Sequence, residues 1–127
     1  LFRYANGGHN PPYVVRTNGQ LDALQTHAGP VLGVLEDAVY EEQTVTLQPQ
    51  DAVFYFTDGV TEAEADGQGF FGEDRLCDVL RGCCGTPART IVTRVVDAVH
   101  DFTGAAPQSD DITALALRYK PAAGPAQ

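Results

Sequence analysis

Asp51-Ala52-Val53-Phe54-Tyr55-Phe56-Thr57-Asp58-Gly59-Val60-Thr61-Glu62 is the stretch on which the fold turns. Its apolar run, Ala52 to Phe56, is too short for an ordinary helix. It is rich in aromatic and β-branched side chains, so it predicts a central strand buried on both faces. The run passes directly into Thr57-Asp58-Gly59, where glycine permits a sharp backbone turn. A carboxylate is thereby set at the end of a rigid element, a placement that serves a hard cation. A second acidic pair, Asp110-Asp111, opens the last strand pattern of the chain, Ile112 to Tyr119, and two acidic strand ends can converge on one site.

Working outward, Leu1 to Ala5 and Tyr13 to Arg16 are short β-prone segments separated by Asn6-Gly7-Gly8-His9-Asn10-Pro11-Pro12, a run dense in turn formers. His9 in that loop reads either as a proton shuttle or phosphate contact, or as a turn histidine bonded to nearby backbone. Thr17-Asn18-Gly19-Gln20 carries the Asn-Gly pair of a tight hairpin, which returns the chain as a strand over Leu21 to Leu24. Gly29-Pro30-Val31-Leu32-Gly33 is a loop able to approach a neighbour closely. Gln43 to Leu47 alternates polar and apolar, placing Val45 and Leu47 toward the core. Pro49-Gln50-Asp51 then predicts a hairpin joining that strand to Ala52–Phe56, with Asp51 as a turn residue bonding local N–H groups.

Beyond the central strand, Val60 to Ala65 is helix-compatible and Asp66-Gly67-Gln68-Gly69 reads as a loop. Glu62 lies one helical turn past Asp58 and can point at the same region, although a solvent-facing acid is the plainer reading. Glu73 to Arg81 predicts a helix with Leu76, Val79 and Leu80 on one side and Gly82 as its stop. A second helix follows, with Thr86 as N-cap, Pro87 in the first turn, a stripe from Ile91 to Phe102 at helical spacing and Gly104 past its end. His100 falls off that stripe. In the last strand Leu115, Leu117 and Tyr119 share one face and Ala114 and Ala116 the other, so the small-residue face leaves room for a close neighbour. Pro121 onward predicts a frayed tail.

Composition narrows the classes. A length of 127 residues, 43% of them hydrophobic and 20% charged, suits one soluble globular domain with a real core. No apolar run approaches a membrane span, and no signal peptide is visible. The chain starts at Leu1 and contains no Met, as expected for a segment of a longer protein. A net charge of -9 with only 8 Lys and Arg argues against a nucleic-acid surface. Most acids lie between Glu36 and Asp78, largely a solvated face. Cys77, Cys83 and Cys84 have neither zinc spacing nor an even count for disulfides, which fits a reduced, cytoplasmic compartment.

Five ordered motifs carry a resemblance that covers about Leu1 to Tyr119. They are Ala5-Asn6-Gly7-Gly8-His9-Asn10-Pro11-Pro12, Gly29-Pro30-Val31-Leu32-Gly33, Thr57-Asp58-Gly59-Val60-Thr61-Glu62-Ala63, Gly72-Glu73-Asp74-Arg75-Leu76 and Ser109-Asp110-Asp111-Ile112-Thr113. Together they resemble the C-terminal part of the metal-dependent PPM/PP2C-type serine phosphatases, in the bacterial sporulation stage II protein E and RsbU-like branch. The resemblance implies an α/β (α+β) fold, a partial PP2C-like β-sandwich with mainly antiparallel strands and two helices packed on one sheet. Residues 1–120 would form the C-terminal part of the phosphatase domain, with its N-terminal part absent, and 121–127 a flexible tail.

By the same resemblance, Asp58 corresponds to the carboxylate of the family's Asp-Gly motif, with Gly59 beside it, and Asp110 to the acid of its last strand-opening motif, with Asp111 as the neighbour. Asp110 is preferred, since Asp111 points to the other face if the strand has already begun. His9, Asn10 and Glu62 are the substrate-proximal candidates. Two Mn²⁺ or Mg²⁺ ions, hard cations suited to oxygen ligands, are implied for the complete domain and no nucleophilic Ser or Cys is required.

The family's further metal-binding acids precede the first motif seen here and have no counterpart in this chain. The segment is therefore expected to bind metal weakly, to show little activity alone and to self-associate through exposed sheet edges. The implied substrate is a phosphorylated bacterial regulatory protein such as an anti-sigma-factor antagonist. The alternative is a non-catalytic phosphatase-like signalling or interaction module.

Overall fold

The computed structural model describes residues 1–24, 30–106 and 111–121. In chain order the elements are β1 (Phe2–Tyr4), β2 (Tyr13–Val15), β3 (Leu21–Ala23), β4 (Gln43–Val45), β5 (Ala52–Phe56), α1 (Asp58–Thr61), β6 (Glu64–Ala65), β7 (Gly69–Phe70), α2 (Gly72–Arg81), α3 (Ala88–Thr103) and β8 (Ala114–Arg118). Among the described residues, four strands form one antiparallel sheet in the order β3-β2-β5-β8, while β1 pairs with β4 and β6 with β7. No helix among them is long and apolar enough to cross a membrane.

β5 is central, as its apolar run requires, because alternate side chains feed two cores. On one face Phe54 and Phe56 pack with Val60, Leu76, Leu80, Ile91, Val95 and Val99, so that α2 and α3 cover the sheet. On the other face Val53 joins Val14, Leu24 and Leu47, with Phe2, Tyr4, Val45 and Tyr55 packed around them. The result is a layer of helices, a four-stranded sheet and a two-stranded sheet. Each fully buried large side chain contributes about 1.5–3 kcal/mol of transfer free energy, and with Val53, Phe54 and Phe56 all buried, β5 is a principal contributor to both cores.

Ala114 and Ala116 pack toward the helices, and α3 lies against β8. On the opposite face of β8, Leu115 is 59% and Leu117 45% exposed. The small-residue face therefore has the close neighbour that its composition allows.

Several local expectations need correction. β4 does not form a hairpin with β5. Its partner is β1, since β2 and β8 occupy both edges of β5. Gln50, with φ 73, bends the chain between the two sheets, and its N–H donates to the Tyr119 carbonyl at 2.8 Å. The helix-compatible piece ends at Thr61, and Glu64–Ala65 pairs with Gly69–Phe70 across a turn at Gly67. Thr86 does not cap α3. Its hydroxyl donates to the Cys83 carbonyl at 2.7 Å, and Pro87 holds the N-cap position. β8 itself begins at Ala114, two residues later than the pattern indicates.

Candidate functional site

The end of β5 is fixed to the segment leading into β8, where the Thr57 N–H donates to the Thr113 carbonyl at 3.2 Å. One residue later, Asp58 opens the single turn α1 with its side chain in solvent, while Gly59 and Val60 behind it are buried. Gly59 lies so close to the Asp111 backbone that an added Cβ would collide with the Asp111 carbonyl and come within 3.3 Å of the Ile112 Cα. Glycine is needed here for close approach. Chain segments distant in sequence are thus brought together: the Asp58 turn and the Asp111 backbone.

A third segment arrives from the loop between β1 and β2. The Asn10 side-chain amide donates to Asp58 Oδ1 at 2.9 Å. The loop is organised by Asn6, 8% exposed, whose amide donates to the His9 carbonyl at 2.8 Å and whose oxygen accepts the His9 N–H at 2.6 Å. The His9 ring Nδ1 lies 2.9 Å from the Asn10 carbonyl oxygen. His9 accordingly has the turn-histidine contacts, while its ring also borders a recess lined by Tyr55, Thr57, Thr113 and Leu115.

The sequence-derived candidates are distributed as follows. Asp58, Gly59, Asn10 and the Asp111 backbone meet, with His9 in the same loop as Asn10. Asp110 lies outside the described residues. The Asp111 residue is exposed. Glu62 sits at the end of α1, exposed, with its backbone N–H donating to the Asp58 carbonyl at 2.8 Å.

Thr57 went unnoticed in the sequence. Its Oγ1 is buried and has no hydrogen-bond partner among the described residues, beside the recess next to Asp58. Its only sequence signal is its place immediately before Asp58-Gly59.

The donors at this edge are oxygens, the chemistry of Mg²⁺ or Mn²⁺ rather than of a thiolate or imidazole site. Donor type fits, but donor number does not: among the described residues no group of three or more His, Cys, Asp or Glu can hold an ion.

The sequence matches the family described as Stage II sporulation protein E (SpoIIE) over residues 1–120. It is 28% identical to Protein IcfG of Synechocystis over 116 residues, covering 90% of this chain and 18% of that protein. It is also 28% identical to Phosphoserine phosphatase RsbU of Bacillus subtilis over 122 residues, covering 94% of this chain and 35% of that protein. The SiaA-PP2C domain of Pseudomonas aeruginosa superposes with a TM-score of 0.73 at 26% identity, over 93% of this chain and 47% of that one. The chain spans less than half the length of each of these relatives, and its fold is that of a PP2C phosphatase domain.

Proposed function

Because the chain belongs to the stage II sporulation protein E family, we propose that it is the C-terminal part of a cytoplasmic, metal-dependent protein-serine/threonine phosphatase domain. Its substrate is a phosphoserine on a bacterial regulatory protein, such as an anti-sigma-factor antagonist. The observation that supports this reading is the seating of Gly59 on the Asp111 backbone, which brings the Asp58 turn and the segment entering β8 to one edge.

In this reading Asp58 and Asp110, with Asp111 as the neighbouring acid, hold Mn²⁺ or Mg²⁺ together with carboxylates supplied from outside this chain. The ions, when bound, neutralise phosphoryl oxygens and make a water nucleophilic near neutral pH. The chain's own contribution is positional. β5 delivers Asp58 to the edge, Gly59 lets the turn close on the neighbouring segment, and the loop at His9 and Asn10 lines the approach.

The test is turnover of p-nitrophenyl phosphate with Mn²⁺ by the complete domain. Asp58→Ala should lower kcat/KM about a hundredfold, equivalent to roughly 2.7 kcal/mol of transition-state stabilisation. Turnover that is unchanged in that variant, or absent from the unmutated complete domain, would favour a non-catalytic signalling module.

The chain by itself should also self-associate. β8 is an edge strand presenting Leu115 and Leu117, with Tyr119 just past its end 39% exposed, and such an edge pairs readily with another copy. Light scattering should give a dimer or larger species, and a monodisperse monomer would refute this.

A further inference from the structure

We propose that the loop over residues 30–42 is a docking surface for a protein segment that presents an apolar ridge flanked by Lys or Arg. The inference is independent of the phosphatase reading above, because it needs neither a bound ion nor turnover. Val31, Leu32, Val34, Leu35 and Val39 lie between 58% (Val31) and 84% (Val39) exposed, all on one short loop. Apolar residues exposed singly are normal, whereas a contiguous group marks a surface that is covered in use.

The backbone holds this group in a fixed arrangement. The Tyr40 hydroxyl donates to the Pro30 carbonyl at 2.9 Å and closes the loop on itself. The Val34 N–H donates to the Val31 carbonyl at 3.3 Å, and the Leu32 N–H to the Gly7 carbonyl at 3.2 Å. Gly7 and Gly8 make the seat, since a Cβ at Gly7 would stand 2.6 Å from Leu32 Cγ and one at Gly8 2.7 Å from Val31 Cα. A partner that covers so tethered a loop orders little further chain. Leu32 also lines a recess of about 370 Å³ shared with Asn10, Pro12 and Tyr55, and Asn10 bonds Asp58 at 2.9 Å. An occupant of the loop therefore stands beside the Asp58 turn.

Charge selects the occupant. Glu36, Asp37, Glu41 and Glu42 are exposed around the apolar group. Among the described residues Glu42 alone of these four has an ion-pair partner, Arg3 at 3.9 Å. Between Arg16 and Arg75 the sequence contains no Lys or Arg. An apolar centre inside an acidic rim is complementary to an apolar centre inside a basic one. A second copy of this chain, with a net charge of -9, meets the rim with like charge. A lipid surface fits no better: anionic headgroups are repelled, and burying Leu35 and Val39 together would carry Glu36 and Asp37 toward the acyl region.

The experiment is fluorescence anisotropy of a labelled amphipathic helical peptide of Leu and Lys, titrated with the complete domain and two variants of it. One variant is Val34→Ser/Leu35→Ser/Val39→Ser, the other Glu36→Gln/Asp37→Asn/Glu41→Gln, and the melting temperature of each is measured. The peptide should bind the unmutated domain, and a version with Glu in place of Lys should not. The serine variant should raise the Kd about tenfold, and the amide variant should weaken binding and flatten its dependence on salt. Both variants should melt with the unmutated domain, because exposed side chains contribute little to the fold. Failure of the Leu/Lys peptide to bind, equal affinity in all three proteins, or equal binding of the Leu/Glu peptide would overturn the proposal. So would a lowered melting temperature in the serine variant, since the rest of the domain would then cover the loop. An oligomer of the unmutated domain that the serine variant turns into a monomer in light scattering would assign the loop to a second copy. Sedimentation with phosphatidylcholine vesicles that the serine variant abolishes would assign it to a membrane, and either result overturns the proposal.

Discussion

Gly59→Ala should destabilise the protein by about 3 kcal/mol, at the upper end of the cost of overpacking a filled site. The added methyl group would meet main chain on its far side: the Asp111 carbonyl carbon at 2.7 Å and the Ile112 Cα at 3.3 Å. Neither atom can swing away as the end of a flexible side chain can. Relief requires moving the whole segment that enters β8, which is held by the bond from the Thr57 N–H to the Thr113 carbonyl. For a domain of this size the loss corresponds to a fall in melting temperature of roughly 10 °C.

Gly82→Ala is the contrasting change. At Gly82 the nearest atom to an added Cβ is the Val79 carbonyl oxygen at 3.4 Å and φ is -78, so alanine is accommodated there. It should be neutral or slightly stabilising, because alanine restricts the unfolded chain. Thermal denaturation of the two variants side by side checks the point, and equal melting temperatures would show that the close approach at Gly59 does not constrain the folded protein.

The second large effect lies at the opposite end of the same strand. Asp51 is 1% exposed, and its carboxylate accepts bonds from the Gln48 N–H at 2.8 Å, the Thr17 N–H at 3.0 Å and Arg16 Nη1 at 2.9 Å. Arg16 also bonds Asp22 at 2.9 Å and the Thr46 carbonyl at 2.7 Å. Asp51→Ala would deprive the Gln48 and Thr17 N–H groups of their carboxylate acceptor and remove the buried partner of Arg16. Breaking a buried pair by deleting one member costs about 3–5 kcal/mol, and denaturant unfolding of the variant should show a loss of that order.

The same group gives a pH signature. Burial on its own would raise the Asp51 pKa, but the Arg16 hydrogen bond and the two backbone N–H bonds outweigh it, and the net shift is below the ordinary value of 3.8. A carboxyl group with a depressed native pKa stabilises the fold fully above its unfolded value and loses that contribution as pH falls through the native one. Acidification below about 3.8 should therefore narrow the stability gap between the unmutated protein and Asp51→Ala. A gap that stays constant down to strong acid would mean that the charge of Asp51 is not what stabilises.

Elements with strong local signals were legible in the sequence. Ala52–Phe56 is the central strand its run indicates, and the Asn18-Gly19 turn returns the chain as β3. The α3 stripe buries Ile91, Val95 and Val99, while His100 stays in solvent. What was not legible depends on partners distant in the chain. Alternation in Gln43–Leu47 tells which side chains share a face, but not that both edges of β5 are already taken and that β4 must pair with β1. Asp51 does bond the backbone of nearby Gln48, as its turn position indicates, yet its stronger tie is to Arg16 across the fold, which no local pattern encodes.

At the candidate site, the Asp-Gly pair at a strand end marked Asp58 and Gly59, and the loop composition marked His9 and Asn10. The bond from Asn10 to Asp58 is a tertiary contact, invisible in spacing. That the Thr57 hydroxyl has no partner among the described residues is a property of its surroundings rather than of its residue type.

β8 is apolar on both sides, with Ala114 and Ala116 against the helices and Leu115 and Leu117 facing away. In most amphipathic strands a shift of one residue is opposed because it would bury polar groups. Here such a shift would exchange alanines for leucines, so side-chain volume, and not polarity, holds the alignment. Enlarging positions 114 and 116 while trimming 115 and 117 would remove the discrimination between the two alignments, with almost no change in the strand's overall hydrophobicity.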